Sequence, residues 1–316
     1  MVRFLKKLGL YILIVMLCMG VLFAAHYAVV GNQYQNNYQA ALNDKIQRLE
    51  SIDRPKIILV GHSNLSFGID SARIEEAFGM PVVNLGLHAG LGNAFHERVA
   101  KLNINEGDIV VICHSDYSDD GRMEDTGLFW VAFDNNLRQL SLMGVKDMKN
   151  ALLSYPDYFR ASFLLWAKGE GNADAGNSYS RNAFNEYGDV VFKPEREQMN
   201  ADDYFSKNEC PMPGIGDACV RRLNRLNKYV CDRNASLVIA GYPVAYGEYS
   251  EYTKEDFIEF RKQLENAVDC EVISDYTDYF YPYEYFYNTY LHLTEEGTAV
   301  RTGQLISDIE SWLDRV

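Results

Sequence analysis

Residues Lys56–Asn64 read KIILVGHSN, an apolar run that stops at Gly61 and continues into a histidine, a serine and an asparagine. A short unbroken run of branched apolar residues ended by glycine is how a strand buried on both faces of a parallel sheet reads. Gly61 lets the chain turn sharply. A hydroxyl just beyond such a turn stands at the carboxyl edge of the sheet, where α/β folds bind ligands. Ser63 is therefore either part of a tight turn or a nucleophile at the mouth of a site, and the rest of the chain has to decide.

The same kind of run recurs at Pro81–Gly86 (PVVNLG), Asp108–Cys113 (DIVVIC), Ser236–Gly241 (SLVIAG) and Cys270–Ser274 (CEVIS). Helical spacing falls between them at Asp70–Phe78, Asn93–Leu102, Asp217–Asp232, Thr253–Ala267 and Thr294–Leu313. Asp70 and Ser71 are candidate N-caps, and Thr294 precedes two acids that suit a positive helix N-terminus. Alternating strands and helices imply βαβ units. The expected fold class is α/β, a three-layer α/β/α sandwich on a mostly parallel five-stranded sheet. Between the third and fourth strands the chain is far longer than a crossover needs. Residues 117–234 read as an insertion with apolar helical stretches at 129–152 and 158–166, followed by a Gly/Asn-rich tract.

The N-terminus MVRFLKK carries Arg3, Lys6 and Lys7 with no acid, and Leu8 to Val30 is almost wholly apolar. That matches the roughly 20 residues needed to cross a bilayer. Basic residues ahead of the segment place the N-terminus in the cytoplasm. A cleaved signal peptide is the alternative, with Ala24 and Ala25 as a weak cleavage site; the length of the apolar run favours an uncleaved anchor. The expected organisation is an anchor at 1–31, a polar, helix-permissive juxtamembrane stalk or short helix at 32–52 and one domain at 53–316, with the body outside the cytoplasm in a cell-membrane, single-pass arrangement.

The chain has 316 residues, 47% hydrophobic, and a formal net charge of −14. Such acidity, with no Lys/Arg cluster interleaved with aromatics, excludes nucleic acid as an expected partner. No C-x-x-C pair, metal-ligand spacing or cofactor motif stands out, so neither metal nor cofactor is expected. Export permits disulfides, and the Pro/Gly loop between Cys210 and Cys219 predicts one; Cys231–Cys270 is a second candidate, and Cys113 reads as a core thiol. The aromatic stretch Asp275–Tyr290 is either a sugar-stacking surface or amphipathic filling.

A serine nucleophile needs a base. Outside the anchor the chain has His62, His88, His96, His114 and His292. His62 adjoins Ser63, and adjacent side chains diverge. His292, in NTYLHLTEEG before the last helix, falls in a loop that returns to the carboxyl edge. His114-Ser115-Asp116 cannot form a triad by itself, because neighbours point apart. Asp116, Asp119 and Asp120 read as a solvated turn rather than a cation site. Asn185 and Asp189, in FNEYGD, either face a sugar or cap a turn.

ILVGHSN after the first strand, NLGLHAG after the second and YLHLTEEG before the terminal helix resemble the SGNH (GDSL-like) hydrolase superfamily. They most resemble its membrane-anchored bacterial branch associated with O-acylation of exopolysaccharides and cell-wall polymers. AFNEYGDVVF and GTAVRTGQLISDI carry the same likeness, which spans about Lys56 to Trp312. The resemblance implies a flavodoxin-like sheet, Ser63 as nucleophile and His292 as base. It also implies an oxyanion hole from the backbone N–H groups of Ser63 and Gly86, with Asn84 bracing the second turn.

Three positions depart from the family pattern. Its aspartate three residues before the histidine is Thr289, and Asn288 stands before that. Asn288 is the candidate third member, holding the imidazole tautomer while stabilising imidazolium less well than a carboxylate. Asp275, Asp278 or Glu284 are the spatial alternatives. The third block reads CHSDYSD, leaving Ser115, His114 or Asn64 as the side-chain oxyanion donor, and His62 stands where an aspartate is common. Asn84, Asp116, Asn185, Asp189 and Tyr290 are the candidate substrate contacts.

The expected function is a serine acyltransferase or esterase acting on O-acyl groups, foremost O-acetyl, of a cell-surface glycan or an acylated small substrate. The resemblance implies an integral-membrane acyltransferase as partner. The alternative is a catalytically inactive carbohydrate-binding or scaffold component of the same machinery.

Overall fold

A computed structural model describes residues 2–134, 136–192, 200–208, 211–247 and 250–315. The strands are β1 (Ile57–Val60), β2 (Val82–Asn84), β3 (Ile109–Ile112), β4 (Ser236–Ile239), β5 (Val244–Ala245), β6 (Glu271–Val272) and β7 (Phe280–Tyr281). The helices are α1 (Val2–Ala25), α2 (Ala41–Ser51), α3 (Ser63–Ser66), α4 (Ser71–Phe78), α5 (Asn93–Ala100), α6 (Thr126–Phe133), α7 (Met148–Lys168), α8 (Ala201–Lys207), α9 (Asp217–Cys231), α10 (Lys254–Ala267) and α11 (Glu295–Leu313).

The protein is α/β, built on a five-stranded sheet of order β2-β1-β3-β4-β6 in which every pairing is parallel. The register sets Val60 beside Ile112, so β1 and β3 end together and their following turns are neighbours. Beyond the strands, His62 still pairs with Leu87. β5 and β7 form a separate parallel pair. Alternate residues of the apolar runs face opposite ways, as the two-residue period requires. Ile58, Val60, Val110 and Ile112 enter one buried cluster, while Ile57, Leu59, Ile109 and Val111 enter another. At the amino edge, buried Lys56 Nζ lies 2.8 Å from buried Asp108 Oδ2, tying β1 to β3.

The expected caps form. Asp70 accepts the Arg73 N–H, and Thr294 accepts the Gly297 N–H. Three expectations change. Residues 129–152 are not one helical stretch. α6 ends where Asp134 adopts φ 32°, its carboxylate accepting the Gln33 and Tyr34 N–H groups at 3.1 and 3.0 Å. α7 then runs on through exposed Pro156 to Lys168, absorbing the stretch expected at 158–166. The segment 32–52 holds the short helix α2, which packs into the body: it buries Leu42, Ile46 and Leu49 in the core, and Lys45 beside them donates to the Asn84 and Gly188 carbonyls at 2.9 and 2.6 Å.

The cysteines are the third change. Cys231 and Cys270 carry free thiols, so that expected bridge is absent. Cys210 lies outside the described residues; Cys219 is a buried free thiol whose Sγ is 3.2 Å from Arg222 Nη2. Among the described residues, one helix is long and apolar enough to cross a membrane, spanning Arg3–Val30. Its end is packed onto the body, with Met19, Leu22 and Phe23 against the core.

Candidate active site

Gly61 and Gly86 are dictated by crowding. A Cβ on Gly61 would lie 3.0 Å from the Cys113 carbonyl, and one on Gly86 would lie 2.7 Å from the His62 carbonyl. The ends of β1, β2 and β3 therefore converge closely enough to exclude side chains at both turns. Ser63 opens α3 half-buried, its carbonyl accepting the Phe67 N–H at 2.9 Å. The Phe67 ring lies flat against the His292 imidazole, with centroids 4.2 Å apart and planes at 14°. This stack brings His292 to the turn that carries Ser63. The two side chains make no direct hydrogen bond to each other.

Asn288 Oδ1 is 2.8 Å from His292 Nδ1, and Asn288 Nδ2 donates to the Tyr179 hydroxyl at 2.8 Å. The Asn288 amide thus bridges the imidazole and the Tyr179 phenol. Its carbonyl oxygen meets the ring, Nδ1 carries the proton, and Nε2 is the basic nitrogen. Thr289, where the family pattern has aspartate, does local work: its Oγ1 accepts the Leu291 and His292 N–H groups, both at 3.2 Å. Asp275 is occupied at its own turn, where Oδ1 accepts the Thr277 N–H and hydroxyl.

The expected oxyanion donors divide. The Gly86 N–H is engaged by Asn84 Oδ1 at 2.9 Å. Asn64 is fully buried, with Nδ2 donating to the Cys113 carbonyl at 2.9 Å, so its side chain ties β1 to β3. His114 is also buried and bonds Glu97 Oε1 at 3.1 Å. Burial works against the charge on Glu97, but the bonds from His114 and Arg222 hold its carboxyl below the usual range. Burial likewise keeps His114 neutral.

Ser115 differs from both, being half-buried with its Oγ 2.7 Å from His62 Nε2. His62 Nδ1 is buried with no partner. An orphaned lone pair is tolerated better than an orphaned N–H, so the proton sits on Nε2 and is donated to Ser115. The Ser115 hydroxyl proton is then directed elsewhere. Desolvation, and after it His96 and His114, push the His62 imidazole well below its ordinary pKa, which keeps it neutral.

Of the candidate substrate contacts, Asn84 and Asp189 are buried and bonded to each other at 2.8 Å. Asp189 also accepts the Ser71 N–H and hydroxyl, at 2.8 and 2.6 Å. Asn185 Oδ1 accepts the N–H groups of Tyr187, Gly188 and Asp189, closing the FNEYGD loop. These residues brace the Ser63 turn instead of facing solvent: Asn84 Nδ2 reaches the Leu65 carbonyl, and the Val190 N–H reaches that of Ser66. Asp116 holds a loop, accepting the Gly214 N–H at 3.0 Å. Tyr290 is half-buried. Asp120 pairs with Arg122 and Lys146, and among the described residues no group of His, Cys, Asp and Glu has metal-binding geometry.

Sequence reasoning missed two residues. Tyr179 sits in a Gly/Asn-rich tract with no periodic signal. Arg301 is fully buried, with Nη1 donating to the Asn64 carbonyl at 2.5 Å and Nε and Nη2 unpartnered. Its spacing was the available clue, since Gly297, Arg301 and Leu305 recur on the inner face of α11. A guanidinium there sets positive potential directly beneath the Ser63 turn. Comparison with protein-family models, curated proteins and solved structures finds no match to this chain.

Proposed function

We propose that the protein is an exported, membrane-anchored serine acyltransferase or esterase that acts on O-acyl groups, foremost O-acetyl, of cell-surface polysaccharide. One observation carries the reading: the Tyr179–Asn288–His292 chain of hydrogen bonds, which sets an amide oxygen against the imidazole beside the turn of Ser63. An acceptor at Nδ1 leaves Nε2 as the basic nitrogen, which is what a general base for Ser63 needs. The sheet, with apolar clusters on both faces and helices between strands, supports a three-layer sandwich with residues 117–234 as an insertion. The basic residues Arg3, Lys6 and Lys7 in the first turns of α1 support a single pass with the body outside.

In this reading Ser63 Oγ attacks the acyl carbonyl as its proton passes to His292 Nε2. The tetrahedral oxyanion takes the Ser63 N–H and the Ser115 hydroxyl, whose proton is turned outward by the bond from His62. Arg301 adds a favourable field without touching substrate. Collapse releases the donor alcohol, which takes the proton from His292 and leaves an ester on Ser63. A glycan hydroxyl, or water, then repeats the sequence in reverse. On substrate binding the Ser63 hydroxyl and His292 Nε2 would close to hydrogen-bond distance.

That same missing hydrogen bond favours a second reading, a glycan-binding scaffold that keeps the fold without turnover. Labelling of Ser63 by a fluorophosphonate separates the two. The enzyme reading expects stoichiometric modification that vanishes in Ser63→Ala, together with loss of polymer acylation at unchanged protein level. A folded wild-type chain that takes no label, with no acylation change in Ser63→Ala, sinks it.

A further inference from the structure

α7 has two apolar faces, and only one is used inside the protein. Ala151, Tyr155, Tyr158 and Ser162 are buried against the body. Beside them Met148, Leu152, Phe159, Phe163 and Trp166 recur at the three- and four-residue steps that keep to one side of a helix. Leu152 is 53% exposed, Phe163 42% and Trp166 43%, with Phe159 half-buried. The stripe continues past the helix start to Val145, which is 84% exposed. A row of large apolar side chains this long is not scattered surface hydrophobicity.

Its neighbour identifies what covers it. The end of the apolar helix α1 lands on this same element. Phe23 lies 5.7 Å from Tyr155 between ring centroids, and the His26 ring is 4.9 Å from Tyr158 and 5.7 Å from Phe159, edge-on. His26 Nδ1 also meets the Tyr155 hydroxyl at 3.3 Å. Phe159 thus belongs both to the α1 contact and to the stripe, which makes the exposed row continuous with the surface of the candidate span. Lys149 and Arg160 border the row, while Lys168 pairs with Glu170 at 3.8 Å and Asp157 is the one acid within the helix, on a chain otherwise strongly acidic. Basic flanks beside an apolar face with a tryptophan are the pattern of a helix lying in a bilayer interface.

We propose that α7 lies in the outer surface of the membrane, with Leu152, Phe159, Phe163 and Trp166 among the lipid chains. The inference rests on the reading of α1 as an anchor. It gives the body a fixed tilt on the bilayer, because α1 and α7 meet near the middle of a 21-residue helix and hold it at two separate lines. The occupant is lipid, since lipid already surrounds the helix with which the row is continuous.

The test uses the full chain in vesicles of phosphatidylethanolamine and phosphatidylglycerol, with or without brominated acyl chains. Of the three tryptophans, Trp130 and Trp312 are each 4% exposed, leaving Trp166 as the reporter. Bromolipid is expected to quench about a third of the tryptophan emission, and Trp166→Phe to abolish that quenching with the fold intact. A chain that floats with the vesicles but emits equally in both lipids overturns the proposal while leaving the anchor in place. A chain that does not float overturns both. A photocrosslinker at position 163 that captures an integral-membrane protein in native membranes, with no quenching in pure lipid, replaces lipid by protein as the occupant.

Discussion

Replacing Asn288 by aspartate should make Ser63 more reactive. The Asn288 carbonyl oxygen stands 2.8 Å from His292 Nδ1 as a neutral acceptor. When His292 takes the serine proton, the ring becomes a cation, and Asp at the same place would present a full negative charge to it. At about 4 Å the attraction is ~1 kcal/mol in water and ~4 kcal/mol at an effective dielectric of 20. Asn288 is exposed, so the lower figure applies, and ~1 kcal/mol corresponds to an about fivefold faster reaction. The second carboxylate oxygen keeps the contact with Tyr179, because the phenol can donate where it now accepts. Asn288→Ala removes a neutral hydrogen bond worth ~1 kcal/mol and frees the tautomer, giving an about fivefold slower reaction. The assay is the second-order rate of fluorophosphonate labelling at matched folded fraction, in low and high salt; added salt should shrink the aspartate gain. If Asn288→Asp labels no faster than the wild type while Asn288→Ala labels equally fast, Asn288 does not act on the base and the chain of hydrogen bonds is only structural.

Ser115→Ala should lower the labelling rate about 100-fold at matched folded fraction, the usual cost of a lost oxyanion donor, and should cost ~1–3 kcal/mol of stability by orphaning the buried His62 N–H; an unchanged rate removes Ser115 from the site. Asp108→Asn leaves the buried Lys56 ammonium without its counter-charge and should destabilise the fold by ~3–5 kcal/mol, read by urea denaturation. Restoring volume with the double change Lys56→Met and Asp108→Leu should recover part of that loss; no recovery would deny that the charge is responsible. Burial, and after it His114, lowers the His96 pKa to about 3, below the ordinary 6.5 of the unfolded chain. The unfolded state therefore binds the proton first, and stability falls as pH drops from about 6.5 towards 3, by ~1.4 kcal/mol per unit for this group. His96→Asn should flatten the slope of stability against pH in that window, and an unaltered slope would show that His96 is not kept neutral.

The five sheet strands were legible because branched apolar runs bounded by Gly, Pro or Asp have few other uses. Ser63 and His292 were expected near one another, and the Phe67–His292 stack brings them together, although the chain reaches His292 only after the separate strand β7. The remainder depends on contacts between residues far apart in the chain. Nothing around Tyr179 announces that its hydroxyl will meet an amide at 288. FNEYGD looked equally like a sugar contact and a turn, and only the bonds from Asp189 to Ser71 and Asn84 decide for bracing. The segment over 41–51 reads as a stalk or a short helix because its polar residues outnumber the apolar ones, and its packing stays hidden because those few apolar residues all face inward. A positive φ at Asp134, held by N–H groups about a hundred residues earlier, ended a helix that periodicity alone would have carried on.

The bracing of the Ser63 turn also has a consequence in time. Its parts are made in an order: the turn itself early, Asp189 after the middle of the chain, and His292 and Arg301 close to the end. A ribosome has nearly finished before the base and the buried cation exist, and the segment that reaches back to Asn84 must already have been threaded into place. A polypeptide interrupted during synthesis or export would hold a serine at the end of a strand and nothing to arm it. Any chemistry at Ser63 that relies on His292 is thereby confined to chains whose last helix has been made.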